Sequence, residues 1–153
     1  MSARLTFTTP PKFVKHFIAA HLALANSGVP RDTLELMNIR ASQINGCGAC
    51  LDMHTKEAAQ AGVTALRINL VGAWRETTVF TDAERAALEL TEQGTRLADT
   101  SGITDDAWAE VARHYDDEQL AVLAGQISLI NAFNRLNVIL KQAGGSYQIG
   151  HAA

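Results

Sequence analysis

Four residues within one short stretch have the types and the spacing of a thiol-based redox site. Cys47 and Cys50 are separated by two residues, His54 follows Cys50 by four, and Glu35 precedes Cys47 by twelve. Two cysteines at this spacing can close a disulfide, and a cysteine at a helix start can have a pKa lowered to about 3.5 to 7.5. The unpaired backbone N–H groups at a helix start favour a negative charge, so the predicted helix start at Cys47 favours a thiolate. These residues predict a reactive dithiol.

His54 and Glu35 complete a proton relay around the dithiol. His54 lies one helical turn after Cys50, where its imidazole can take or return the Cys50 proton, so the spacing indicates Cys50 as the assisted thiol. Glu35 lies eleven residues before Gly46 and His54 eight after it. If the two helices pair as an antiparallel hairpin about Gly46, the side chains lie within roughly one turn of each other. A carboxylate there would orient the imidazole and favour its charged form.

The elements that hold these residues are predicted to be helices throughout. Apolar runs with a period of two are absent, and all three prolines lie in the first fifth of the chain. The predicted helices cover residues 13–26, 32–45, 48–61, 64–74, 81–97, 104–114 and 117–142. Gly46 marks a helix end, and Thr81 with Glu84 predicts a capping box. We expect the tail from Gly144 to be loosely ordered.

A single domain over residues 1–153 is predicted, because a chain of this length builds one hydrophobic core. The last predicted helix is apolar around most of its circumference, which places it at the centre of the domain or against a second subunit. We therefore expect a homo-oligomer. Asn131, Asn134 and Arg135 interrupt this apolar surface, and we expect them to be solvated or to pair with other helices.

Composition narrows the function classes. Lys and Arg number 13 against 16 Asp and Glu, which gives a formal net charge of -3 and predicts no nucleic-acid partner. Charged residues interrupt every apolar run, so no membrane-spanning segment is predicted, and the N-terminus lacks the apolar core of a signal peptide. We expect a cytoplasmic protein. In that reducing compartment a close cysteine pair more often binds metal or does redox work than forms a structural disulfide.

A zinc site is an alternative use of the same side chains. It would take Cys47, Cys50 and His54 from neighbouring turns of one helix and would need a fourth ligand from elsewhere. The candidates for that ligand are His16, His21 and His114. Covalent haem attachment is excluded, because the residue after Cys50 is Leu51. We therefore expect chemistry without metal, haem or flavin.

The stretch resembles the core motif of the AhpD-like alkylhydroperoxidases, within the wider carboxymuconolactone decarboxylase family. Glu35, Cys47, Cys50 and His54 match this motif. The resemblance implies a compact all-helical domain with a helix-turn-helix that carries the cysteine pair, assembled as trimers or hexamers. It implies a peroxidase in which Cys50 is oxidised to a sulfenic acid, and Cys47 supplies a proton and then resolves that sulfenic acid by forming the disulfide. His54 and Glu35 would be the relay.

One position departs from that motif. Better-known members carry a histidine where this chain has Ala49, which bears on the efficiency of peroxide reduction and on the electron donor. The donor is a lipoylated protein in those members; a small thiol or a thioredoxin-like protein is an alternative here. Two other functions stay open, namely a carboxymuconolactone decarboxylase-type lyase and a non-enzymatic redox-sensing oligomer. The dithiol favours the peroxidase, because a decarboxylase has no evident need for one.

Overall fold

The computed structural model describes residues 2–5 and 11–150, and all regular secondary structure in these ranges is helical. Seven α-helices lie in these ranges. In chain order, α1 to α7 are Val14–Ala25, Arg31–Asn45, Gly48–Gln60, Ala65–Leu70, Asp82–Thr95, Asp105–Val111 and Asp117–Leu140. A 3-10 helix, Val71–Glu76, follows α4 directly. The all-α prediction is confirmed.

Local sequence signals account for several helix ends. Thr81 caps α5 in the predicted capping box, in which its side chain accepts from the Glu84 N–H and Glu84 accepts from the Thr81 N–H. Asp116 and Gln119 form the same arrangement at the start of α7. Gly46 ends α2 in the left-handed region, with φ of 66°, which a residue with a side chain rarely adopts. That glycine turns the chain directly into α3.

Helix α2 is the centre of the fold and packs against α3, α5 and α7. One side of α2 contributes Leu34 and Met37 to an apolar cluster shared with α5 and α7. The opposite side contributes Leu36 and Ile39 to a cluster shared with α3 and the 3-10 helix. A third, smaller cluster joins both cysteines to Ala41 of α2 and Ile130 of α7. The cysteine pair therefore lies where three helices meet.

Asparagines that interrupt the apolar surface of α7 pair with α2. Pairing with another helix was one of the two arrangements expected from the sequence, and exposure to solvent was the other. Asn45 donates to the side-chain oxygens of Asn131 and Asn134, at 2.9 Å in each case. Asn134 is fully buried and donates to the Ser42 Oγ at 3.0 Å. These bonds satisfy the amides that an apolar core would otherwise leave unpaired. Neither α7 nor any other helix within the described residues is long and apolar enough to cross a membrane.

The predicted single helix over residues 64–74 is interrupted. Helix α4 ends at Leu70, and Ala73 in the following 3-10 helix has non-helical backbone angles of -119° and 30°. The break allows Trp74 to be buried, with its Nε1 donating to Glu92 at 2.9 Å. Arg40 of α2 binds the same Glu92 oxygen at 2.6 Å. Glu92 thus ties α2, α5 and the 3-10 helix together.

The segment after α7 is docked on α3 as far as Tyr147, so the expectation of a loose tail is wrong over that part. Asp52 accepts from the backbone N–H of Gly145 at 2.6 Å and of Tyr147 at 2.9 Å. Together with Lys56, which contributes most, these bonds lower the pKa of Asp52 to about 2. A side chain at Gly144 would collide with the Gly48 carbonyl, so the close approach requires glycine. Residues 151–153 lie outside the described residues.

Candidate active site

The cysteines occupy the first turn of α3, as predicted. Cys47 is the N-cap residue, and its Sγ accepts a hydrogen bond from the backbone N–H of Cys50 at 3.3 Å. The left-handed turn at Gly46 brings Cys47 to this position directly after α2. Both side chains are buried, with 1% and 2% of their residue surfaces exposed. The two thiols are therefore held together away from bulk water.

The surroundings make Cys50 the more acidic thiol. A hydrogen bond from the Cys47 thiol lowers the pKa of Cys50 below its ordinary value, although burial acts in the opposite direction. Asn137 of α7 contributes as well, since its Nδ2 lies 3.3 Å from the Cys50 Sγ and donates to it. The bond with Cys50, and then burial, raise the pKa of Cys47 above its ordinary range. Cys50 is thus the favoured thiolate, although Cys47 occupies the helix cap.

Asn137→Ala is expected to raise the pKa of Cys50 by about one pH unit, because it removes a donor to the charged sulfur. Less thiolate is then present at neutral pH, so alkylation of Cys50 by iodoacetamide slows. The measurement is the alkylation rate of Cys50 against pH, with the modified peptide identified by mass spectrometry. Unchanged pH dependence in a variant that keeps the wild-type melting temperature would contradict a role for Asn137 in stabilising the thiolate.

Glu35 and His54 form the predicted pair across the α2–α3 hairpin. The Glu35 Oε2 lies 2.8 Å from the His54 Nδ1, and both side chains are buried. Burial disfavours the Glu35 carboxylate, but the hydrogen bond and charge of His54 outweigh it and lower the pKa of Glu35. An ionised carboxylate only accepts, so Nδ1 carries the proton in this bond. The Nε2 atom is left as the nitrogen that can exchange a proton elsewhere.

Spacing predicted a closer link between His54 and Cys50 than the fold provides. Within the described residues no hydrogen bond joins these two side chains, and the Cys50 sulfur instead contacts Cys47 and Asn137. The charge of His54 nevertheless contributes to lowering the pKa of Cys50. The structure thus brings Glu35 and His54 into direct contact and keeps the thiol pair beside them. Direct proton transfer from Cys50 to His54 stays a prediction.

Three amides around the site were not predicted from the sequence. Asn137 contacts the Cys50 thiol, and Asn38 lies 3.5 Å from the same Glu35 oxygen that binds His54. Gln126 of α7 donates to Asn38 and so connects α7 to the Glu35 carboxylate. One signal was available for Asn137, which continues the spacing of three residues begun by Asn131 and Asn134. Nothing in the sequence distinguishes Asn38 or Gln126.

The described residues contain no group of three or more His, Cys, Asp or Glu side chains arranged to hold a metal ion. The three histidines considered as fourth zinc ligands lie in different places. His21 packs near His54, His16 is exposed on α1, and the Nε2 of His114 lies 3.3 Å from a Glu110 oxygen. Within the described residues they therefore do not converge with the cysteine pair on a metal site.

Sequence comparisons agree with this architecture. The model of the carboxymuconolactone decarboxylase family matches residues 11–93, which is more than half of the chain. An uncharacterized protein of Bacillus subtilis, YdfG, is 36% identical over 147 residues, which cover 95% of this chain and 99% of that protein. The alkyl hydroperoxide reductase AhpD of a Bradyrhizobium species is 46% identical over 46 residues, which cover 30% of this chain and 25% of that protein.

Comparison with solved structures extends the likeness to the whole fold. A crystal structure of a protein of unknown function from Agrobacterium tumefaciens, regarded there as a candidate antioxidant defence protein AhpD, superposes with a TM-score of 0.88. The two sequences are 33% identical, and the match covers 95% of this chain and 100% of that chain. The family match, the near full-length relatives and the shared fold all indicate the same family. The chain is an AhpD-like member of the carboxymuconolactone decarboxylase family.

Proposed function

We propose that this protein is a thiol-dependent peroxidase that reduces alkyl hydroperoxides or hydrogen peroxide through a dithiol–disulfide cycle. The observation that carries the proposal is the unequal pair of thiols at the start of α3. Cys50 receives hydrogen bonds from Cys47 and Asn137 that favour its thiolate, while Cys47 stays protonated. A two-cysteine peroxidase needs this inequality, because one sulfur attacks the peroxide and the other resolves the product.

The reaction balances on these two sulfurs. The Cys50 thiolate attacks the terminal oxygen of the hydroperoxide, the O–O bond breaks, and the alkoxide leaves and takes up one proton to become an alcohol. Cys50 is then a sulfenic acid. The Cys47 sulfur loses its proton and attacks the Cys50 sulfur, which forms the disulfide and releases hydroxide, and this hydroxide is protonated to water. Two thiols are oxidised for each peroxide reduced.

Glu35 and His54 supply the proton transfers in this scheme. Glu35 holds the imidazole through Nδ1, so Nε2 can accept the Cys47 proton and donate to the leaving oxygen. In this assignment Cys50 is the nucleophile, Cys47 resolves the sulfenic acid, His54 is the general acid and base, and Glu35 orients His54.

Regeneration of the two free thiols after each cycle requires an external thiol donor that reduces the Cys47–Cys50 disulfide. Both sulfurs are buried, which favours a slender donor such as a small thiol or the arm of a lipoylated protein, with a thioredoxin-like protein as the bulkier alternative. Thiol–disulfide exchange proceeds through a mixed disulfide with the donor, after which the second donor thiol releases it. This cycle needs a reducing compartment, and we place the protein in the cytoplasm on that ground.

The experiment that tests the proposal follows tert-butyl hydroperoxide consumption by the reduced protein, with and without an excess of dithiothreitol. A peroxidase consumes one equivalent alone and turns over many times with the reductant. Consumption of one equivalent without turnover would favour the redox sensor. Thiols that stay reduced under peroxide would refute both, and carbon dioxide release from a lactone acid would then favour the lyase.

We also propose that the protein is a homo-oligomer, as a trimer or a hexamer. None of the residues of α1 is buried in the single chain, and this apolar helix exposes Ile18 and Leu22. Val138 and Ile139 at the end of α7 are exposed as well. A second copy that covered these side chains would remove apolar surface from water. Native mass spectrometry is expected to show three or six subunits, and a monomer would contradict the proposal.

A further inference from the structure

We infer that His21 is a second imidazole of the proton relay and connects the buried His54–Glu35 pair to solvent. The inference rests on the proposed peroxidase function and extends it to a residue outside the hairpin that carries the cysteines. His21 lies on α1, which precedes that hairpin in the chain. It acts on the chemistry through His54 and touches neither thiol in this assignment.

The two imidazoles are neighbours in space. The ring centroids of His21 and His54 lie 6.4 Å apart, and the ring planes are inclined at 61°. His54 is only 3% exposed, whereas His21 is half-buried and so faces both the site and solvent. A separation of this size fits one water between the rings, and a proton can be transferred through a single water.

The charges around His21 allow its imidazole both to take up a proton and to release it. Four titratable or charged groups of α2 and α3 act on it: Arg31, Glu35, His54 and Glu57. From α7, Gly125 and Phe133 pack against the apolar side chains of α1 and bring no charge. Burial and then the charge of His54 lower the pKa of His21 below its ordinary value. His21 is therefore mostly neutral near neutral pH, and it can accept a proton and release it again.

The chemistry needs such a route. Each peroxide reduction produces an alkoxide that must take up one proton. Where Cys50 is already a thiolate, its proton has gone to solvent, and a proton has to return to the site. His54 is buried and its Nδ1 is engaged by Glu35, so a returning proton reaches it through a neighbouring group at Nε2. His21 packs beside His54 and extends to the surface.

The test uses His21→Ala with His16→Ala as the matched control, because His16 is an exposed histidine on the same helix. With saturating dithiothreitol at neutral pH, His21→Ala is expected to lower kcat for tert-butyl hydroperoxide about tenfold without changing KM. The loss should grow as pH rises above the pKa of Cys50, where its proton is already lost. Millimolar imidazole should restore most of the rate in His21→Ala and leave His16→Ala unaffected.

Two further measurements decide the inference whatever the alanine variant does. His21→Gln keeps most of the side-chain volume but cannot titrate, so it should share the kcat loss, and a wild-type rate in it would overturn the inference. Exchange of the His54 ring N–H protons with water, followed by NMR, should slow about tenfold in His21→Gln. Unchanged exchange would overturn the inference. This second readout needs no turnover, so it holds even if the wild-type protein consumes no peroxide and the proposed function itself fails.

Discussion

Cys50→Ser is expected to abolish peroxide turnover, with a loss of kcat on the order of 10⁴-fold or more. The serine hydroxyl stays protonated near neutral pH, so it cannot attack the peroxide oxygen as the thiolate does.

Cys47→Ser is expected to behave differently. Without added reductant it should consume one equivalent of peroxide and keep a sulfenic acid on Cys50, where the wild type forms the disulfide, because the variant has no second protein thiol to resolve it.

The two serine variants test the assignment of roles against each other. Dimedone labelling followed by mass spectrometry locates the sulfenic acid, and the peroxide consumed is counted per protein chain. Both variants keep the volume of the site, so melting temperatures close to wild type are expected. Dimedone on Cys47 in Cys50→Ser, with single turnover by that variant and none by Cys47→Ser, would reverse the assignment of nucleophile and resolving thiol. Multiple turnovers by Cys50→Ser would remove the cysteine pair from the mechanism.

Glu35→Gln is expected to lower kcat about 10²-fold. Glutamine fills the same space, but its amide can donate as well as accept, so it does not hold the proton on Nδ1 as the carboxylate does. The pH profile should change as well. In both proteins the rate should fall as pH drops through the lowered pKa of Cys50, but only the wild type should show a second, steeper fall below the lowered pKa of Glu35.

A surface carboxylate provides the matched control for that variant. Glu89 pairs with Arg75 at the surface and contacts none of the site residues, so Glu89→Gln is expected to keep the wild-type kcat and pH profile. Stability gives a second readout. Because the folded-state pKa of Glu35 is lowered, its stabilising effect is present above its unfolded pKa and is lost as pH falls through the folded value. A Glu35→Gln variant with full activity would contradict the relay.

The sequence predicted the parts of the site that depend on spacing along the chain. The Glu35–His54 contact followed from their distances on either side of Gly46, which agree to within about one helical turn, because two helices that pair about a short turn have one register. The position of Cys47 at the start of α3 followed from the same glycine. These relations involve residues within about one hairpin of each other, so helix geometry alone determines them.

By itself the sequence therefore determined an all-helical chain with a cysteine pair at a helix start and a Glu–His pair across one hairpin. The sequence also indicated Cys50 as the assisted thiol, but only the tertiary structure decided which groups bind its sulfur: the Cys47 thiol first, and then Asn137, which lies 87 residues away along the chain. The approach of His21 to His54 was decided in the same way, when α1 packed beside the hairpin. Periodicity indicates which helix faces are buried but not which faces meet. That choice depends on how side chains fit once distant helices pack.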